Sequence, residues 1–103
     1  MRELAHLAAA TITLERPPSE VKPDHPVAAA VSAAAGNPDV IGVPYWMDMA
    51  LLNEAGIPTV AYGPAGEGEH ADVECVDVAS VARCVEVYVR AAETLCRQPG
   101  QRA

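Results

Sequence analysis

Apolar residues near the C-terminus recur at the three- and four-residue spacing of a helix that buries one face. Asp77 can cap the start of this helix. Its predicted apolar face is formed by Val78, Val81, Ala82, Val85, Val89, Ala92 and Leu95. Charged residues of both signs lie mostly on the other side, which favours a helix packed on a sheet over a membrane-surface helix.

A second helix is predicted over residues 27–35, which are almost entirely Ala and Val. Asp24 can cap it, and Pro26 suits its first turn. Gly36 and the Asn-Pro pair that follows it end the helix. Side chains this small predict close packing against another element.

Residues 40–43 are short enough for a strand, and the near-continuous apolar run at 57–62 is typical of a strand covered on both faces in a parallel sheet. Between them, Asp48 can open a helix that Gly56 can close, which completes a βαβ unit. We therefore expect residues 57–62 to form a buried strand flanked by the helices. Ligands bind at the C-terminal ends of such strands, so the glycine-containing loop at 63–74 is the predicted ligand-binding region.

A short strand is also predicted at residues 11–15, where Ile12 and Leu14 alternate with polar residues. Three prolines exclude a helix or a central strand from residues 16–24. This stretch is therefore predicted to be a linker or hinge.

Length and composition limit what these elements can build. A chain of 103 residues makes one domain at most, and a domain of this size has a thin margin of stability. Half of the residues are apolar, but only one Trp and three Tyr are aromatic, so Ala and Val must fill the core. We expect the isolated chain to be marginally stable or oligomeric.

Charge and cysteine content narrow the classes of function. The formal net charge of -7, without a long basic run, argues against nucleic acid as a partner. The apolar stretches are far shorter than the ~20 residues of a spanning helix, and no signal-peptide core is present, so a soluble cytoplasmic protein is expected. Cys75, Cys84 and Cys96 form no C-x-x-C motif, and we expect them to be reduced thiols acting as small apolar filler.

His70 is the candidate metal ligand in the predicted loop, because a neutral imidazole nitrogen binds cations such as Zn²⁺. The glycines before it are not a phosphate loop, since no Gly-Lys-Ser/Thr sequence follows them. A zinc site needs three or four protein ligands. Without any resemblance, the residues predict a small α/β domain with one candidate ligand in a solvated loop.

Two adjoining stretches carry a resemblance to a known family: residues 42–60, GVPYWMDMALLNEAGIPTV, and residues 62–77, YGPAGEGEHADVECVD. Together they resemble the C-terminal segment of the zinc-dependent exopeptidases and amidohydrolases, which include acetylornithine deacetylase, succinyl-diaminopimelate desuccinylase and aminoacylase. The resemblance covers roughly residues 17–95. Each motif is weak by itself, but their order and spacing are specific in combination.

The resemblance implies a domain arrangement. Residues 26–97 would be the C-terminal part of a catalytic domain of zinc-exopeptidase type, with a parallel or mixed sheet flanked by helices. Residues 1–16 would be a remnant of the lid (dimerisation) domain, with 11–15 as its last strand. Residues 17–25 would be the hinge, and 98–103 a disordered tail.

The resemblance also implies site residues. His70 matches the last ligand of the family's metal, which is zinc or else cobalt or manganese, and Glu74 matches a supporting acid. Asp48, Gly63 and Gly66 match substrate-binding positions, although helix N-capping is the role we rank first for Asp48. The sequence departs from the family where Met47 replaces Thr or Ser and where Cys75 replaces an aromatic residue. Glu67 and Glu69 are interpreted as solvated acids.

The family's remaining ligands and its general base have no counterpart here, because the chain has no Glu-Glu pair and no His-x-Asp upstream of His70. No catalytic residue is therefore assigned. The first hypothesis is a fragment of a metal-dependent hydrolase acting on the amide bonds of N-acyl amino acids or small peptides, inactive alone, whose partner is a complementing N-terminal chain or a second copy. The alternative is a non-catalytic α/β module that pairs with another chain or binds a small ligand at residues 63–74.

Overall fold

The computed structural model describes residues 9–97. In chain order, this part contains α1 (Pro26–Ala34), α2 (Met49–Glu54), β1 (Gly66–Glu67), β2 (Cys75–Val76) and α3 (Val78–Cys96). The predicted disordered tail at 98–103 and the first eight residues of the predicted lid remnant lie outside the described residues.

The start of α1 differs from the prediction by one residue. His25, not Asp24, is the N-cap, and its Nδ1 accepts a hydrogen bond from the backbone N–H of Val27 at 3.2 Å. Pro26 takes the first helical position, as expected. A capping side chain must reach the second or third N–H of the helix, and Asp24 precedes the cap position from which that is possible.

The predicted ends of α1 and α2 are confirmed. Gly36 and Gly56 follow the helices with φ of +87° and +83°, a conformation that a Cβ atom disfavours. After α2, the N–H of Gly56 donates to Asn53 and the N–H of Ile57 donates to Leu52, each at its carbonyl oxygen. This pair of bonds satisfies carbonyls that the helix itself leaves free.

The two aspartates expected to cap helices differ in what they do. Asp77 caps α3 as predicted, with its Oδ1 accepting from the N–H of Ala79 at 3.0 Å. Asp48 precedes α2, but its backbone is already helical, and among residues 9–97 its side chain makes no capping hydrogen bond. The capping role predicted for Asp48 is therefore wrong, because a capping residue needs an extended backbone to fold its side chain over the next turn.

The core is the contact between α1 and α3. The buried residues of the described part are small, as the composition predicted: Ala28, Ala30, Ala35, Ala50, Cys84, Val87 and Ala91. The face that α3 buries is not the predicted one, since Val78, Val81, Val85 and Val89 are 43% to 77% exposed. We name these four residues the valine stripe. The Ala-rich α1 approaches the face of α3 with the smaller side chains, and the sheet expected over the valine stripe does not form.

The predicted βαβ unit is wrong apart from its helix. Residues 40–43 and 57–62 belong to no strand, and Ile41 and Ile57 are 76% and 55% exposed. Residues 11–15 likewise form no strand. A strand is stabilised by hydrogen bonds to a neighbouring strand, and the described residues contain only the antiparallel pairing of β1 with β2. The apolar runs therefore remain segments without strand pairing in this part of the chain.

The three cysteines are free thiols, but only Cys84 is buried. The interpretation as apolar filler is confirmed for Cys84 and is wrong for Cys75 and Cys96, which are exposed. A separate observation concerns membranes: no helix within residues 9–97 is long and apolar enough to span one.

Candidate functional site

His70 lies in the turn of a small hairpin. Gly66 pairs with Val76, and Glu67 pairs with Cys75, so residues 68–74 form the connection between β1 and β2. Within that connection the N–H of Ala71 donates to the carbonyl of Gly68 at 2.8 Å. His70 itself has a left-handed backbone, with φ of +63°, and is exposed. We name residues 66–76 the His70 hairpin.

Two glycines allow this hairpin to close. A Cβ atom on Gly66 would collide with the carbonyl oxygen of Cys75, on the opposite strand. A Cβ atom on Gly68 would collide with the carbonyl oxygen of Val73, and Gly68 also has φ of +75°. Glycine is the residue that permits such a close approach of two backbones.

The base of the His70 hairpin is attached to the first turn of α3. The hydroxyl of Ser80 accepts a hydrogen bond from the N–H of Ala65 at 2.9 Å and donates to the carbonyl of Asp77 at 2.6 Å. The N–H of Asp77 in turn donates to the carbonyl of Ala65 at 2.8 Å. Because α3 is the longest helix described, it gives the hairpin a stable base.

The segment leading into the hairpin is attached to the same helix. The hydroxyl of Tyr88 donates to the carbonyl of Tyr62 at 2.6 Å, and the two rings meet edge to face with centroids 6.0 Å apart. Partial burial raises the pKa of Tyr88, and Cys84 and Tyr62 beside it raise it further. The protonated hydroxyl that donates to Tyr62 is thus the favoured form.

The predicted site residues are only partly brought together. His70, Glu74 and Gly66 share the hairpin, and Gly63 lies in the segment before it. Asp48 lies at the start of α2, and no hydrogen bond or ion pair of the described residues joins its side chain to the hairpin. Residues 9–97 hold no group of three or more His, Cys, Asp or Glu side chains that could bind a metal ion. The described residues by themselves therefore do not fit a metal site.

Among residues 9–97, two shallow surface depressions include residues of the hairpin or of the segments near α2, and His70 lines neither of them. One runs along the hairpin base, beside Gly66 and Cys75. The other lies between residues 20–25 and the end of α2, and its lining includes His25, Asn53 and Pro58. Neither depression combines a histidine with the exposed acids of the hairpin.

Three residues that position these segments were missed at the level of sequence: Asn53, Ser80 and Tyr88. The available signals were slight. Asn53 is a polar residue in the last turn of a helix, three positions before Gly56, and Tyr88 is an aromatic residue in a helix otherwise rich in Val and Ala. Their partners lie up to 34 residues away along the chain, so local patterns gave no reason to single them out.

Comparison with known proteins agrees with the resemblance at the level of family. No curated protein and no solved structure is similar enough to the chain to count as a match. The sequence pattern of Peptidase family M20/M25/M40, however, matches residues 7–94, which include α1, α2, the His70 hairpin and most of α3. The chain therefore belongs to Peptidase family M20/M25/M40.

Proposed function

We propose that the chain supplies the C-terminal segment of the catalytic domain of a cytoplasmic, metal-dependent hydrolase that cleaves the amide bonds of N-acyl amino acids or small peptides. Membership of Peptidase family M20/M25/M40 supports the assignment as a metal-dependent hydrolase, because members of the family are generally metal-dependent. The observation that carries the proposal is the presentation of His70 at the exposed turn of a hairpin fixed on α3.

In this proposal His70 provides one ligand to zinc, or to cobalt or manganese. An exposed imidazole on a short, glycine-closed hairpin can approach a metal held by residues of another polypeptide. Glu74, in the same hairpin, would support that ligand, and Gly63, Gly66 and Asp48 would contact the substrate. The remaining metal ligands and the general base would belong to the other polypeptide, because this chain has no Glu-Glu pair and no His-x-Asp upstream of His70.

A complementing chain is the partner that suits the exposed surfaces. The valine stripe of α3 is apolar along its whole length, and Val78 at its start is 77% exposed. The apolar runs at 40–43 and 57–62 have the composition of strands that are covered on both faces. A partner that supplies neighbouring strands would cover the valine stripe and the apolar runs together. A second copy of this chain is the alternative partner.

The proposal is tested by joining the chain to the N-terminal portion of a complete relative and measuring hydrolysis of N-acetyl amino acids with added Zn²⁺. The isolated chain is expected to bind Zn²⁺ weakly and to hydrolyse nothing, whereas the joined protein regains both properties. In the joined protein, His70→Ala should lower the affinity at one metal site by at least the ~10 to 100-fold seen when an outer-shell partner is lost.

The matched control is His25→Asn, which removes another imidazole but keeps a residue that caps helices well. Its zinc affinity should equal that of the unaltered protein. Calorimetry that finds the same affinity and stoichiometry with and without His70 would refute its role as a ligand. A joined protein that assembles but never hydrolyses would favour the non-catalytic alternative.

A further inference from the structure

Asn53 uses its whole side-chain amide to connect two distant parts of the chain. Its Nδ2 donates to the hydroxyl oxygen of Ser19 at 2.6 Å and to the carbonyl of Thr59 at 2.9 Å. Its Oδ1 accepts from the N–H of Thr59 at 2.8 Å. Ser19 belongs to the hinge, and Thr59 belongs to the segment that leads to the His70 hairpin. All three bonds are partly buried.

The two bonds to Thr59 replace a missing strand neighbour. A residue in a ladder bonds to the N–H and the C=O of its partner, and the Asn53 amide makes the same pair of bonds with Thr59. Three residues later, the carbonyl of Tyr62 accepts from Tyr88. Residues 59–62 are therefore held at both ends by side chains, although they belong to no strand.

The residue just before the predicted hinge makes a second contact, close to that of Ser19. The guanidinium carbon of Arg16 lies 5.8 Å from the centre of the Trp46 ring, within the range of a cation–π interaction. Pro17 and Pro18 separate Arg16 from Ser19, and each proline ring fixes its own φ. A stiff four-residue stretch is thus attached at each end to the segment that contains α2.

We propose that Asn53 is a positioning residue that couples the hinge to residues 57–62. Residues 16–19 are anchored on α2 and the loop before it, so a change in the direction of the chain before Arg16 is transmitted through Asn53 to Thr59. The significance of this coupling for a hydrolase rests on the proposed function. The coupling itself does not, because every contact that it uses lies within this chain.

Trp46 provides the test, since it is the only tryptophan of the chain. Quenching of its fluorescence by acrylamide, and hydrogen exchange at the Thr59 amide, are measured in the full-length chain. Ser19→Ala removes only the bond between the hinge and Asn53, so quenching should rise towards the value of Arg16→Gln, a variant that removes the cation beside Trp46. Because Asn53 then loses its anchor on the hinge, Thr59 exchange should also become faster, although less so than in Asn53→Ala. Asn53→Ala should also raise quenching, and should make Thr59 exchange about tenfold faster because its acceptor is lost.

Two further variants separate positioning from general destabilisation. Thr94→Ala removes a hydroxyl that bonds within α3, to the carbonyl of Arg90, and should move neither readout. Asn53→Asp keeps an acceptor for the Thr59 N–H and for a rotated Ser19 hydroxyl, and should restore both readouts in part. If Ser19→Ala retains its helical circular dichroism and leaves either Trp46 quenching or Thr59 exchange unchanged, the coupling is wrong, even where Asn53→Ala fails to fold. Neither readout needs metal or activity, so a failure of the His70 experiment is distinguishable from a failure here.

Discussion

Gly68 is the single residue on which the shape of the His70 hairpin depends most directly. It combines a left-handed φ with a backbone approach that leaves no space for a Cβ atom. Gly56 shares the left-handed φ but has open space around it. Any other residue at Gly68 would therefore have to adopt an unfavourable φ and would also collide with the opposite backbone.

Gly68→Ala is expected to open the hairpin, because the left-handed conformation costs an L-residue roughly 1–2 kcal/mol before the collision with Val73 is added. Hydrogen exchange at the Ala71 amide, which bonds to the carbonyl of Gly68, should become faster. Gly42→Ala is the matched control, since a Cβ at Gly42 meets nothing within 4 Å. Unchanged exchange at Ala71 in Gly68→Ala would show that the turn tolerates a side chain.

Tyr88 makes stability depend on pH at the alkaline end. Its pKa in the folded chain is raised above its ordinary value of ~10, so the folded state holds the proton more tightly than the unfolded state. The stabilisation is therefore fully present below pH ~10 and is lost as the pH rises through the folded pKa. Urea unfolding at several pH values should show this loss in the unaltered chain and less of it in Tyr88→Phe. An equal loss in both would assign the effect to other groups.

At the scale of elements, α3 has two apolar faces, and the structure uses one. Cys84, Val87 and Ala91 contact the Ala-rich α1, whereas the valine stripe is exposed. The helix itself could be predicted because its cap at Asp77 and its spacing are local. Which face of α3 is buried could not be predicted, because apolar residues recur at helical spacing on both faces. The buried face depends on which neighbouring element packs against the helix.

The apolar runs at residues 40–43 and 57–62 differ from α3, because even their secondary structure depends on a neighbouring strand. A helix closes its hydrogen bonds within the segment, whereas a strand needs a partner. Residues 57–62 have the composition of a buried strand, yet among residues 9–97 no neighbouring strand bonds to their backbone, and the side chains of Asn53 and Tyr88 do so instead. Composition therefore predicted an element that the described residues do not form.

At the scale of the whole molecule, the exposed valine stripe has a consequence for association. We expect the purified chain to self-associate or to unfold with a low free energy. Replacing Val81 and Val85 by Asp should shift sedimentation towards the monomer and should abolish pairing with a complementing chain, because two charges would have to be buried. Helical content should remain, since neither residue belongs to the buried core.

The control for this pair of substitutions is Glu86→Gln with Arg90→Gln, which changes the charged side of the same helix. It should leave sedimentation and pairing as they are. A monomeric chain with a sharp two-state unfolding transition at high temperature would contradict the expectation that the stripe needs a partner.

Features that a few neighbouring residues produce could be predicted from the amino-acid sequence. Gly36 and Gly56 end their helices, Asp77 starts α3, and small side chains make up the core. The family, too, was readable from the order of motifs between residues 42 and 77. His70 was identified as a candidate ligand on the same grounds, and its exposed place on a hairpin is compatible with that prediction without testing it.

Features that depend on a partner far away in the chain became visible only in the tertiary structure. It placed His25 rather than Asp24 at the cap of α1, turned the smaller face of α3 towards α1, and left residues 40–43 and 57–62 without a ladder. It also connected Asn53 to Ser19 across 34 positions. Local conformational preference acts within a few residues, whereas strand pairing, burial and side-chain amide bonds act between segments that only folding brings together.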